Sequence, residues 1–130
     1  MPILKVFILL IFCFWVFLES AWTSNSYYSE KECLSLTTKD RTYANAGNRL
    51  VKIKEVVQWS SLLQKNKAKM VLMEPSSKTE FINKKCYWLI PIHESQATHL
   101  VFWKAFLVQI NGNEICEKDY SDDSCKPINN

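Results

Sequence analysis

The longest apolar run of the chain lies at its amino terminus, where residues 6–18, VFILLIFCFWVFL, carry no charge. Lys5 precedes this run, and the small residues Ser20 and Ala21 follow it closely. A basic start, a short apolar stretch and a small-residue exit are typical of a secretory signal peptide, whereas a membrane-spanning helix needs roughly 20 apolar residues. We therefore predict a signal peptide over 1–21, with an uncleaved anchor as the alternative.

The segment RLVKIKEVVQW, residues 49–59, fits two periodic patterns. Val51 and Ile53, together with the valines that follow, suit a strand with one face inward. Leu50, Ile53 and Val57 also recur near helical spacing, so a helix is the alternative. The high content of β-branched residues favours a strand.

Short apolar segments separated by polar or proline-containing breaks indicate further strands and turns along the chain. The predicted elements are turns around 45–48, at 64–67 and at 75–77, a strand over 68–73, an extended stretch over 79–92 and a loop over 93–98. Pro91 cannot donate a ladder hydrogen bond, so we expect it to end its strand or to place that strand at an edge.

The most apolar segment after the leader is HLVFWKAFLVQI, residues 99–110. Its valine, phenylalanine and tryptophan content predicts one or two buried strands. Asn111-Gly112 follows at once, and this dipeptide between apolar segments predicts a hairpin with a two-residue type I′ turn, which needs positive φ at both positions. Many short strands with frequent turns indicate a mostly β fold, a small barrel or sandwich.

Composition narrows the function classes. Removal of the leader leaves about 110 residues, enough for one domain with a modest core, so we predict a single secreted β-rich domain over 22–130. The formal net charge of +3 is far from the basic stripe of a nucleic-acid-binding protein. Only Gly47 and Gly112 are present, so a Gly-rich phosphate loop is absent, and no cofactor is predicted.

Four cysteines remain after the leader, which takes Cys13 with it. They are Cys33, Cys86, Cys116 and Cys125. An even number in a small secreted chain predicts two disulfides, for which three pairings are possible. Their spacing, without a Cys-x-x-Cys, does not suit a zinc site.

The acidic stretch CEKDYSDDSC contains Asp119, Asp122 and Asp123. Calcium needs six or more oxygen ligands, and the order of residues here lacks the alternating carboxylates and central glycine of an EF-hand loop. An acidic, solvated loop inside a short disulfide explains the composition better, so no metal site is predicted.

Two groups of polar residues are candidates for contacts with partners. The first is a set of lysines that offers weak contact with a polyanion, with a solvated face as the alternative: Lys65, Lys67, Lys69, Lys84 and Lys85. The second is a candidate binding loop over 91–98, beside Cys86, with Pro91, His93, Glu94 and His99 as its candidate residues. Either histidine is a conceivable general base, but no nucleophile motif accompanies it, so we predict that the protein is not an enzyme.

The chain resembles the netrin-like module of tissue inhibitors of metalloproteinases and complement components. RLVKIKEV after Cys33, then TEFINKKCYWL and THLVFW, and finally the close cysteine pair carry the likeness. The resemblance implies a five-stranded OB-like barrel in which Cys33 bonds to Cys86 and Cys116 to Cys125. It implies no metalloproteinase inhibition, because that mechanism uses a cysteine at the mature amino terminus and Cys33 lies about ten residues inside.

RLVKIKEVVQW is also similar to the strand that enters the first inhibitory loop of cystatins. The Gln-x-Val-x-Gly loop of that family is missing, since the chain reads EVVQWS at this point. The cystatin resemblance therefore implies a related fold without the inhibitory loop.

The sequence as a whole predicts a secreted extracellular binding protein of inhibitor or effector type. It would act through protein–protein contacts on an extracellular or cell-surface protein, without catalysis, nucleic acid or a membrane span after leader removal. The alternatives are a cystatin-like protease inhibitor, a signalling ligand and, last, a small hydrolytic enzyme. A rigid exposed loop would favour the inhibitor, an exposed aromatic patch the ligand, and a histidine meeting a carboxylate in a pocket the enzyme.

Overall fold

The computed structural model describes residues 27–128, so the signal peptide predicted over 1–21 lies outside the described residues. The elements, in chain order, are α1 (Glu30–Leu34), α2 (Arg41–Leu50), α3 (Lys54–Lys65), β1 (Lys69–Leu72), a 3-10 turn (Glu74–Ser76), β2 (Lys78–Ile82), β3 (Lys85–Ser95), β4 (Leu100–Gln109), β5 (Ile115–Asp119) and β6 (Ser124–Pro127). The fold is mostly β, as predicted, with a six-stranded antiparallel sheet and two disulfides.

β3 is the central strand of the sheet. One side of β3 pairs with β4, and the other side pairs with β2 along its first half and with β1 along its second half. β5 and β6 follow β4 in order, and within the described residues the sheet is not closed into a barrel.

The strand predicted over 49–59 and the turns predicted around 45–48 are wrong, because this region forms α2 and α3. Asp40 caps α2 by accepting a hydrogen bond from the Thr42 amide at 2.8 Å. Ala46 and Leu50 are buried four residues apart on α2, and Val56 and Leu63 are buried seven residues apart on α3, which are spacings that keep side chains on one helical face. These spacings outweigh the β propensity of the valines, which depends on context.

The main core lies between the helices and one face of the sheet. Its buried residues are Ala46, Leu50, Ile53, Val56, Trp88, Ile90, Ile92, Phe106 and Val108. Trp88 is fully buried and donates its indole N–H to the Thr42 hydroxyl at 2.9 Å. A second, smaller cluster covers the opposite face of the sheet, with Tyr87, Leu89, Ala105, Leu107 and Cys116. Burial on both faces explains why β3 is a continuous apolar run.

The two disulfides join Cys33 to Cys86 and Cys116 to Cys125, which is the pairing that the netrin-like resemblance implied. The first ties α1 to β3 with 5.7 Å between the Cα atoms, and the second ties β5 to β6 with 5.5 Å. Each distance is ordinary for a disulfide.

Pro91 lies inside β3, in the centre of the sheet, so the prediction that it ends a strand or marks an edge is wrong. Its carbonyl accepts a hydrogen bond from Met73, just past the end of β1. The N and C=O of one residue in a strand point to the same side. The nitrogen of Pro91 therefore also faces the side of β3 that carries β1 and β2, at the break between these two strands. The break between these two short strands accommodates the proline.

The β4–β5 hairpin predicted at Asn111-Gly112 is confirmed, but its predicted turn type is wrong. Neither Asn111 nor Gly112 has a positive φ, and the Gln109 amide bonds to the Glu114 carbonyl across a longer loop. The two-residue turn with positive φ at both positions is instead at Asn83 and Lys84, between β2 and β3.

Candidate binding surface

The candidate loop predicted over 91–98 is mostly strand. Pro91, His93 and Glu94 belong to β3, and only the short turn before β4 is a loop, closed by a 2.9 Å hydrogen bond from the Gln96 amide to the His99 carbonyl. The predicted loop residues therefore form one end of a hairpin and not a protruding segment.

The two histidines lie in different environments. Nδ1 of His93 is buried and has no hydrogen-bond partner among the described residues, and the ring packs edge-on against Phe102 at 5.4 Å between centroids. Nδ1 of His99 lies 3.0 Å from the Thr98 hydroxyl. Within residues 27–128 neither ring hydrogen-bonds to a carboxylate, which is the contact that would orient a general base.

Three exposed apolar side chains lie on one face of the sheet beside this hairpin, and we call them the apolar patch: Leu100, Phe102 and Tyr120. Their exposed fractions are 46%, 49% and 60%, and Val101, which is 39% exposed, is on the other face of β4. The rings of Phe102 and Tyr120 lie 6.2 Å apart, so the patch joins β4 to the turn after β5. The burial predicted for the whole of 99–110 is therefore wrong for its first part, although 105–108 are buried as expected.

A bulge divides β4 just after the patch. Ile92 of β3 pairs with Lys104 and His93 pairs with Phe102, so Trp103 is an extra residue on β4. Both residues at the bulge reach α3: the Trp103 ring stacks on Trp59 with 3.9 Å between centroids, and Lys104 forms an ion pair with Glu55.

Lys104 also pairs with Glu117 of β5, at 3.1 Å. Burial disfavours the charged ammonium, but the hydrogen bonds to Glu55 and Glu117 outweigh that cost and raise the pKa of Lys104. Lys104 therefore stays charged and links α3, β4 and β5 at the point where the strand changes direction.

One edge of β4 is unpaired at the apolar patch. β5 pairs with β4 only at 106–108, whereas β3 pairs with β4 from Leu100 onward. Because Gln96 and His99 face each other, the alternation of an antiparallel ladder turns the N–H and C=O of Leu100 and Phe102 away from β3. No backbone hydrogen bond to these groups is found among the described residues. We call the backbone of 100–102 the β4 edge.

A buried ion pair spans the face of the sheet opposite the helices. The Lys118 side chain of β5 is only 4% exposed and contacts Glu80 of β2 at 3.2 Å and Asp123. β3 and β4 lie between these strands, a separation of about 14 Å on a flat sheet, so the sheet curves toward this face. Burial alone would lower the pKa of Lys118, but the hydrogen bonds to Asp123 and Glu80 raise it.

Each aspartate of the acidic stretch has its own local partner. Asp119 accepts hydrogen bonds from the Ser121 amide and hydroxyl at 2.8 and 2.6 Å and pairs with Lys126. The Asp122 carboxylate accepts from the Ser124 amide at 3.0 Å. The bond to Lys126, followed by the bonds to Ser121, lowers the pKa of Asp119. Within residues 27–128, no three His, Cys, Asp or Glu side chains form a group able to hold a metal ion.

The five lysines predicted as one polyanion-binding set form two separate groups. Lys65, Lys67 and Lys69 lie between the end of α3 and the start of β1, and Lys69 is opposite Ser95 at one end of β3. Lys84 and Lys85 lie at the other end of β3, about 33 Å away along the strand. Lys85 also pairs with Glu114 at 3.2 Å, so a single basic surface does not form.

Comparison with known proteins identifies no relative of this chain. In the described part of the chain no helix is both long enough and apolar enough to cross a membrane. No family model matches the sequence, and neither a curated protein nor a solved structure matches it. The netrin-like and cystatin-like resemblances therefore stay predictions, and the function must be argued from the surface itself.

Proposed function

We propose that this chain is a secreted extracellular binding protein of inhibitor or effector type, which acts through protein–protein contacts at the apolar patch. The observation that carries the proposal is the presence of three exposed apolar side chains, two of them aromatic, on one face at one end of a disulfide-bonded domain. Large apolar side chains that are exposed side by side often mark interaction sites, whereas single exposed apolar residues are common on protein surfaces. A few residues supply most of the binding free energy at many interfaces, and aromatic residues are enriched at the centres of such interfaces.

The surroundings of the patch support a pre-formed binding surface. Phe102 lies beside a bulge anchored to α3, and Tyr120 lies in the turn between two strands joined by Cys116–Cys125. A surface that is already ordered loses little conformational freedom when a partner binds. The partner of such a site is expected to be an extracellular protein, because the predicted leader and the two disulfides both fit an oxidising compartment.

The patch favours a broad contact over insertion of a loop into a protease cleft. The turn at 96–99 is short, and the residues before it belong to β3. An effector or signalling ligand that covers a surface of its partner therefore fits the geometry better than a cystatin-like inhibitor. The partner is an extracellular or cell-surface protein with an apolar surface of its own, and the contact requires no cofactor.

Measurement of binding to intact cells tests this proposal. The tagged, purified protein is titrated onto a panel of cell types beside the double variant F102S/Y120S and the control L62S, which removes an exposed leucine from α3. We expect saturable binding that the double variant loses and the control retains. Equal binding by both variants, or saturable binding to none of the cells, would refute the proposed role of the patch.

A further inference from the structure

The β4 edge differs from the edges at the two ends of the sheet. β1 has four residues and begins with Lys69, β2 begins with Lys78, and β6 carries Lys126 and ends at Pro127. Short strands, lysine and proline are the features by which proteins prevent pairing between sheet edges. Residues 100–103 of β4, LVFW, contain no charge and no proline, so this edge lacks those features.

We propose that the β4 edge pairs antiparallel with the β4 edge of a second copy of this chain, about a two-fold axis at Val101. In that register Leu100 is opposite Phe102 of the partner subunit, and Phe102 is opposite Leu100 of the partner subunit. Leu100 and Phe102 are the residues whose N–H and C=O point outward, so each pair exchanges two hydrogen bonds. The four hydrogen bonds satisfy every outward backbone group of the edge.

The edge is complementary to itself, which is why a second copy is the occupant that fits. Val101 meets Val101 of the partner subunit in the closely spaced, non-hydrogen-bonded position, where β-branched side chains pair well. The segment is uncharged, so no like charges are opposed at the axis. A two-fold axis makes one short segment serve both subunits.

The dimer would also enlarge the apolar patch. Leu100 and Phe102 are on the same face of β4, since alternate residues of a strand share a face. Pairing at the β4 edge places the Phe102 side chain beside Leu100 of the partner subunit on that face. The two patches then form one continuous apolar surface across the axis.

Oligomeric state in solution tests the inference without any other protein. Light scattering and sedimentation over about a hundredfold range of concentration should show monomer converting to dimer for the wild type. V101K opposes two lysines at the axis and should remain monomeric, whereas the control V57K, on exposed α3, should dimerise as the wild type does. Monomer throughout for the wild type, or equal dimerisation of V101K, would overturn the proposal.

Cysteine substitution tests the register. In the proposed dimer the Cα atoms at 101 lie about 4.5 Å apart, within disulfide range, so V101C should form a covalent dimer on mild oxidation. L100C is two residues out of register with itself and should not cross-link efficiently. Peptide mapping verifies that the two native disulfides are intact in both variants. Equal cross-linking of both variants, or cross-linking of L100C alone, would contradict the register.

This inference is independent of the function proposed above. Dimer formation is measured with no partner present, and cell binding can be measured on the monomeric V101K variant, because residue 101 is on the opposite face of β4 from the apolar patch. A negative result for dimer formation therefore leaves the cell-binding experiment interpretable, and the reverse also holds.

Discussion

The two halves of β4 have similar apolar sequences but opposite environments. Residues 100–102 are exposed and pair only with β3, whereas 105–108 are buried and those from Phe106 to Val108 pair with strands on both sides. The bulge at Trp103 and Lys104 separates them. The second neighbouring strand, and not the apolar character of the segment, therefore decides which half of this strand becomes core.

The largest expected effect is a difference in stability between variants at two phenylalanines of β4, Phe106 and Phe102. F106A removes a fully buried side chain from the main core and should lower the free energy of unfolding by about 3–5 kcal/mol. F102A removes a half-exposed ring and should cost less than about 1 kcal/mol. Urea denaturation followed by tryptophan fluorescence measures both values. Similar costs for the two variants would show that the halves are not distinct.

The disulfide that closes the longer segment of chain should contribute more to the free energy of unfolding. Cys33–Cys86 spans 53 residues and Cys116–Cys125 spans 9. From loop-closure entropy, C33A/C86A should lose about 4 kcal/mol and C116A/C125A about 2.5 kcal/mol. The same urea experiment decides the order. A larger loss for C116A/C125A would indicate that the β5–β6 hairpin, which carries Tyr120, stabilises the domain more than its short loop predicts.

A smaller effect concerns the ionisation of Tyr87, which lies opposite Gln109 at the paired end of β4. Burial, followed by the 3.0 Å hydrogen bond to Glu114, raises the pKa of Tyr87 to about 12. Its ordinary pKa is about 10, so the neutral form stabilises the fold fully below pH 10. That stabilisation is lost as the pH rises from about 10 to about 12.

Absorbance titration of tyrosine measures this shift, with Y87F identifying the signal. E114Q removes the charge but not the burial, so it should lower the pKa of Tyr87 only part of the way toward 10. A pKa that does not change in E114Q would assign the whole shift to burial.

The smallest expected effect leaves stability unchanged and concerns only amide exchange. In the monomeric V101K variant, the amides of Leu100 and Phe102 should exchange rapidly, whereas the amide of residue 101, which faces β3, should be protected. In the wild type at high concentration, the amides of Leu100 and Phe102 should become protected as well. Hydrogen exchange followed by NMR resolves the three positions, and rapid exchange at all three would contradict the alternation described for the β4 edge.

Much of the sheet was predictable because its signals are local. The strand over 68–73, the β4–β5 hairpin and the two disulfides follow from a short apolar segment between polar breaks, an Asn-Gly dipeptide and an even number of cysteines. The start of α3 was missed because residues 49–59 satisfy both periods, and the choice depends on the sheet face that Val56 contacts.

The candidate site was not predictable to the same degree. Exposure of Leu100 and Phe102 depends on where β5 separates from β4, and residues distant in sequence determine that point. One local signal existed: Lys104 interrupts the apolar run at the bulge, and a charge inside such a run often marks a change of environment. The division of the lysines into two groups has the same cause, since residues that are close in sequence lie at opposite ends of β3.

The order of the strands has a consequence for how the chain reaches this structure. From β2 to β6 each strand pairs antiparallel with the strand that follows it in the chain, so these pairings close short loops and can form quickly. Cys33 and Cys86 are far apart in sequence, and disulfide formation takes seconds to hours, against microseconds for a hairpin. The sheet is therefore expected to assemble first, and oxidation of Cys33 and Cys86 to fix α1 in place as the slow final step of folding.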